Sequence, residues 1–243
     1  MKVLLLGGNG YMGPHVVKAI EDYHTLRITD TMPIIESRHE TRIVDVADLD
    51  QVRRAAEGMD AIINLSVLRH DRKLAFDVST RGSYNAMQAA VEHGIPRVIN
   101  TGPHFTLAGQ TYEDFDFGLN SDIPPHPGTN LYALTKSLGQ EICRIFTENH
   151  DLHVLTLLFL TFLDHDDPRT GTDLNPFTVS WRDCAESFRC ALDADLDTMP
   201  SPCECFFIVA DLPHGWVSNQ KTKRLLGFQP RDDFKAVWHK KAD

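Results

Sequence analysis

The chain has 243 residues, 42% of them hydrophobic and 24% charged, an ordinary globular mixture that excludes a disordered or collagen-like protein. Its 34 Asp and Glu outweigh 24 Lys and Arg, and the formal net charge of −10 repels phosphate backbones and anionic lipid. Nucleic acid and membrane are therefore not expected partners, and a chain of this length can bury the core of one sizeable α/β domain.

Lys2–Leu6 reads as a buried strand, followed by Met12, Val16, Ala19, Ile20 and Tyr23 at helical spacing. Leu26–Thr29, Arg42–Val46 and Ala61–Val67 are further strand-like runs, and Asp48 is placed to cap a helix that turns Leu49, Val52 and Ala56 inward. Ser83–His93 predicts a helix closed by Gly94 and Pro96. Arg97–Asn100 predicts a fifth strand, Tyr132–Glu148 a long helix, and Leu152–Phe162 a sixth strand. Beyond Asp164 the pattern loosens into a polar loop to Pro176, a helix over Asp183–Ala194 and a strand over Cys205–Val209. A last helix, Asn219–Leu226, is stopped by Gly227 and Pro230.

No apolar run reaches the ~18 residues of a membrane span; the longest, His153–Leu163, is broken by threonines. Met1–Gly8 carries no signal-peptide pattern. Cys143, Cys184, Cys190, Cys203 and Cys205 are odd in number and fall in apolar settings, as expected of buried, reduced thiols in a cytoplasmic protein. Cys203-x-Cys205 is expected on opposite faces of a strand, without a metal. No metal is expected at the acidic loop Asp164-His165-Asp166-Asp167 either.

The β-α alternation predicts an α/β fold, a Rossmann-type doubly wound parallel sheet with right-handed crossovers. Gly7-Gly8-Asn9-Gly10-Tyr11-Met12-Gly13 lies between the first strand and the first helix. Glycines at 7, 10 and 13 suit a tight turn, close approach to a pyrophosphate and helix–sheet packing, with the N–H groups of Tyr11 and Met12 turned to phosphate. Asp30, about 20 residues on, is placed to accept both ribose hydroxyls and to repel a 2′-phosphate, which favours NAD over NADP; an exposed turn residue is the other reading. Asp45-Val46 ends the third run where an adenine edge would lie. We expect one domain over residues 1–243. Residues 1–163 form the dinucleotide-binding core, and 164–243 are mostly a small C-terminal substrate-side lobe.

Tyr132-Ala133-Leu134-Thr135-Lys136 places a phenol and an ammonium on one helical face, where the charge stabilises a phenolate for proton transfer. With these motifs in order, the chain resembles the short-chain dehydrogenase/reductase superfamily, in its extended, NAD-dependent epimerase/dehydratase branch. Asn64-Leu65-Ser66, Gly82-Ser83-Tyr84-Asn85-Ala86, Arg182-Asp183-Cys184-Ala185 and Leu225-Leu226-Gly227-Phe228-Gln229-Pro230 extend the resemblance along the chain. Short length and His214-Gly215-Trp216 look most like uronate dehydrogenases.

The resemblance implies an oxidoreductase acting on a sugar-like or other hydroxylated small molecule, with Tyr132 as acid/base and Lys136 on the nicotinamide ribose. Leu65, Ser66 and Val67 would line the NAD site. It also implies a homodimer, here through a stripe around Tyr84, Met87, Leu138 and Ile142. Three positions depart from the family pattern. Pro103 stands where a catalytic Ser or Thr is usual, leaving Thr101 as the nearest hydroxyl. Ser79 replaces an Asn. Phe159 replaces an Arg that would face a substrate carboxylate. His104 is a candidate substrate contact, and a structural histidine is the other reading. A dinucleotide-binding sensor or scaffold that has lost its chemistry is the competing function, favoured by Pro103.

Overall fold

The apolar runs become strands of one parallel sheet in the computed structural model, which describes residues 1–109, 118–166, 174–213 and 215–238. The first half runs β1 (Lys2–Leu6), α1 (Gly13–Ile20), β2 (Thr25–Asp30), β3 (Glu40–Ile43), α2 (Leu49–Ala56), β4 (Ala61–Asn64), α3 (Arg72–Phe76) and α4 (Gly82–His93). It continues with β5 (Arg97–Pro103), α5 (Phe105–Ala108), α6 (Leu131–Asn149), β6 (His153–Phe159) and β7 (Thr161–Leu163). β8 (Thr178–Ser180), α7 (Trp181–Asp193), β9 (Cys203–Phe207) and α8 (Gln220–Leu226) follow.

Among the described residues the main sheet has seven strands in the order β3-β2-β1-β4-β5-β6-β9, every pair parallel. The order reverses between β1 and β4, which opens a crevice beyond their carboxyl ends. Residues alternate between the two faces of β1. Val3 and Leu5 join a core with Val16 and Ile20 of α1 and Cys184 and Phe188 of α7. Leu4 and Leu6 join the opposite core with Val52 of α2, Ala86 and Ala90 of α4, and Cys143 of α6. Both faces are covered, which is why the strands read as continuous apolar runs.

Local signals set the helix ends. Asp48 accepts from the Gln51 N–H at the start of α2, and Gly94 closes α4 with φ 64°. Several boundaries differ from the sequence reading. β3 ends at Ile43 and β4 at Asn64, so Val44–Val46 and Leu65–Val67 leave the sheet and line the crevice. Leu152–Phe162 divides into β6 and the short β7, which pairs with β8. The strand expected at Cys205–Val209 begins two residues earlier.

Residues beyond 163 divide between two locations. β9 pairs with β6 at the sheet edge and α7 packs on α1, whereas β7–β8 and the Leu119–Val217 bridge lie outside the main sheet. Asp183 is fully buried and holds the tail: it accepts from the N–H groups of Arg231 and Asp232, both at 2.9 Å.

Two expectations are corrected. Cys203 and Cys205 lie two apart on β9 and so share a face, with buried Glu204 turned the other way. Burial pushes the Cys143 thiol up to about 12, and Cys205 up to about 11. Met87 has no exposed surface and belongs to the core, so it is not part of an exposed stripe; Tyr84, Leu138 and Ile145 are the exposed apolar residues of α4 and α6. No helix among the described residues is long and apolar enough to cross a membrane.

Candidate active site

The glycine turn is built around close approaches that only a bare backbone permits. Gly7 has φ 75°, and a Cβ there would sit 2.8 Å from the Ser66 backbone at the β1–β4 seam. A Cβ on Gly13 would overlap the Gly8 carbonyl oxygen, so α1 could not start where it does. Pro14 occupies its first turn, where a missing N–H costs nothing, and no side chain caps its N-terminus.

Asp30, at the end of β2, ties the turn down: Oδ2 accepts from the Asn9 N–H at 3.0 Å and Oδ1 from the Thr31 N–H at 2.8 Å. Gly7, Gly10, Asp30, Asp45, Val46, Leu65, Ser66 and Val67 together line an open cleft of about 340 Å³. The Ser66 hydroxyl is buried there without a protein partner, and Asp30 Oδ2 retains a lone pair, Oδ1 also accepting from the Thr31 hydroxyl at 3.3 Å. A bare cradle, an unpartnered hydroxyl and a carboxylate at the end of β2 fit a dinucleotide lying from Asp30 to Ser66.

A second hollow, sharing Gly7, Gly10, Leu65 and Val67 with the first, continues toward β5 and α6 and adds Tyr11, Met12, Thr101, Tyr132 and Lys136. Asn130 starts α6 by accepting from the Tyr132 and Ala133 N–H groups, which fixes Tyr132 in the first turn and Lys136 one turn on. Lys136 is buried, and its ammonium donates to the carbonyls of Ser66 at 2.8 Å and Thr101 at 3.2 Å. Burial lowers it to about 8. Burial likewise raises the Tyr132 phenol, opposed by the charge and hydrogen bond of Arg69. Arg69 lies over the Tyr132 ring, 4.8 Å from its centroid.

Arg69 lines the hollow although no sequence motif marks it; the one signal is an arginine five residues past Asn64, on the loop leaving β4. The other candidates lie as follows. Thr101 lines the hollow, but its hydroxyl donates to the Asn64 carbonyl at 2.7 Å, so its proton is committed. Pro103 ends β5 beside Phe159 of β6. His104 is not among the lining residues: it has no exposed surface, packs on Phe105 and Phe177 at 4.2 and 3.9 Å, and is lowered by burial to about 3. Phe159, Phe162 and Trp181 form the wall facing Tyr132's hollow, with Phe162 and Trp181 stacked at 4.2 Å. Asp164, His165 and Asp166 form an exposed acidic group whose histidine pairs with both aspartates; Asp167 and His214 lie outside the described residues.

Residues 3–163 match the family model described as the NAD dependent epimerase/dehydratase family. An NAD-dependent glucose-6-phosphate dehydrogenase of Haloferax volcanii is 24% identical over 95% of this chain and 93% of its own length. An L-arabinose 1-dehydrogenase (NAD(P)(+)) of the same organism is 25% identical over 97% of this chain and 98% of its own. The fold superposes on uronate dehydrogenase from Agrobacterium tumefaciens, a mutant complexed with NAD, with TM-score 0.78, 19% identity, and coverage of 97% of this chain and 86% of that one.

Proposed function

The chain belongs to the NAD-dependent epimerase/dehydratase family, and from that premise we propose that it is an NAD-dependent oxidoreductase acting on a hydroxyl of a sugar-like small molecule. One observation carries the reading: Asp30 on one side and Tyr132 and Lys136 on the other, dispersed along the sequence, line two adjoining hollows that share Gly7 and Gly10 of the glycine turn. The relatives named as dehydrogenases of glucose 6-phosphate and L-arabinose support a sugar as the substrate class.

When bound, NAD supplies the acceptor for hydride. Gly7, Gly10 and Gly13 with the N–H groups of Tyr11 and Met12 would hold its pyrophosphate, and Asp30 the adenosine ribose. Asp45 and Val46 would border the adenine, and Leu65, Ser66 and Val67 the middle of the molecule. The protein's own part is proton transfer and orientation. Tyr132 takes the proton of the substrate hydroxyl. The Lys136 ammonium, with one N–H beyond its two carbonyls, is placed to hold a ribose hydroxyl, while the charge and hydrogen bond of Arg69 favour the Tyr132 phenolate. Thr101 can accept but not donate to the substrate oxygen, so its help is smaller than that of a free hydroxyl.

We read residues 1–243 as one domain whose C-terminal part borders the substrate end. A homodimer through α4 and α6 and a cytoplasmic location are parts of the same proposal, supported by exposed Tyr84 and Leu138 and by free cysteines. Pro103 and the committed Thr101 hydroxyl favour one rival, a dinucleotide-binding sensor without turnover. The experiment that separates them is Tyr132→Phe. Oxidation of a sugar substrate should fall by roughly 10²–10⁴-fold with NADH binding kept within about twofold. Undiminished turnover in the variant would refute the assignment of Tyr132.

A further inference from the structure

The chain has 34 acidic side chains, yet among the described residues none lines the hollow around Tyr132. The charged groups that do are both cations, Lys136 and Arg69. Lys136 is occupied by the carbonyls of Ser66 and Thr101. Arg69 stands on the exposed loop between β4 and α3, its guanidinium against the Tyr132 ring, and among the described residues no carboxylate pairs with it. The acids nearest in sequence are committed elsewhere: Asp71 caps α3 through the Leu74 N–H, and Asp77 pairs with Lys73 and Arg81.

A guanidinium presents five donors in a planar fork, and stacking on a ring leaves the edge of that fork available. The same hollow has a flat apolar wall. Phe162 and Trp181 stack at 4.2 Å and 19°, and His15 stacks on Trp181 at 4.6 Å and 12°. A surface of this kind takes the C–H face of a sugar ring, and a few charged groups then fix its orientation. Two cations with no anion, in a protein of net charge −10, focus a positive potential on one spot of an otherwise repelling surface.

We propose that Arg69 is the anion-recognising residue of the substrate site, and that the sugar it selects bears a carboxylate or a phosphate. The proposal rests on the reading that this cleft oxidises a sugar hydroxyl. Arg69 then bridges the two groups: it lies over the Tyr132 ring and hydrogen-bonds the phenol, and its remaining donors hold the anionic group, which places the reacting hydroxyl near the phenol. The ring lies along Phe162 and Trp181. Binding of the anion also fixes Arg69 over Tyr132, so substrate charge and proton transfer are linked through one side chain.

The test is steady-state oxidation by the NAD-loaded enzyme on D-glucuronate, D-glucose 6-phosphate and D-glucose. Calorimetric titration of the same sugars into the NADH complex gives a readout independent of turnover. At least one anionic sugar should exceed glucose in kcat/KM. Arg69→Gln should lower the anionic-to-neutral ratio roughly 10- to 100-fold, and Arg69→Lys should restore part of it. Which ratio collapses tells carboxylate from phosphate. A ratio unchanged by Arg69→Gln overturns the proposal, because loss of the Tyr132 contact alone slows both classes alike. Equal weakening of NADH and sugar binding also overturns it, since Arg69 would then serve the cofactor. A wild-type preference for glucose in both readouts overturns it and leaves the oxidoreductase reading intact. Anion-selective binding that Arg69→Gln abolishes, without turnover of any sugar, supports Arg69 and refutes that reading.

Discussion

Replacing Asp30 separates two effects that one carboxylate combines. Oδ2 accepts from the Asn9 N–H at 3.0 Å and keeps a lone pair for a ribose hydroxyl, whereas Oδ1 already accepts from the Thr31 N–H at 2.8 Å and the Thr31 hydroxyl at 3.3 Å, a weak bond that a ribose hydroxyl can displace. Hydrogen bonds to a charged acceptor contribute about 1.5–3 kcal/mol each, less where solvent competes, as at this half-buried site. Asp30→Ala should therefore cost about 1–3 kcal/mol of NADH binding, roughly 5- to 150-fold in Kd.

The charge acts separately on a 2′-phosphate. At about 4 Å, repulsion per unit charge runs from about 1 kcal/mol in bulk water to about 4 kcal/mol at a protein surface. The wild-type chain should then bind NADH at least about fivefold more tightly than NADPH. Asp30→Asn, which keeps an acceptor and removes the charge, should narrow that gap while weakening NADH less than Asp30→Ala does. Fluorescence titration of both reduced cofactors into wild type and the two variants at fixed ionic strength measures these affinities. Equal or tighter NADPH binding by the wild type, or a change below twofold for Asp30→Ala, would refute the assignment.

Burial of Lys136 gives a pH signature. Its folded value of about 8 lies below the ordinary 10.5, so between these limits the unfolded chain binds more protons and this group's contribution to stability rises with pH. Wild type should gain up to about 3 kcal/mol on Lys136→Met as pH goes from 8 to 10.5; parallel urea-unfolding curves for the two proteins would exclude it. Asp183→Ala removes a fully buried acceptor of two backbone N–H groups and of Arg231 Nε, and should destabilise by about 3 kcal/mol in urea unfolding, with under 1 kcal/mol counting against the tail-anchoring role. The exposed residues of α6 bear on association: Leu138→Glu with Ile145→Glu should convert a dimer to a monomer in sedimentation, and a wild-type monomer at micromolar concentration rules the dimer out.

The doubly wound sheet and the residues that line the Asp30 end of the cleft were legible in the sequence because they depend on local signals. Strand runs buried on both faces, the Gly7–Gly13 turn, Asp30 at a strand end and a Tyr132/Lys136 pair on one helix each occupy a few consecutive residues, and the βα alternation orders them. Met87 was misplaced because helical periodicity gives a face without saying what packs on it; α4 turns that face into the core. His104 follows the β5 turn in sequence, yet the strand buries it against Phe177, a residue far along the chain. Thr101 kept its position, and only the neighbouring strand showed that its hydroxyl is bonded to Asn64. Arg69 is the strongest case. On the sixth strand Phe159 stands where the family resemblance implies an arginine facing a substrate carboxylate. A cation, Arg69, reaches the hollow from the β4–α3 loop instead, because parallel strands carry all their C-terminal loops to the same end of the sheet. Residues on different loops become neighbours there through strand order, which no local pattern encodes.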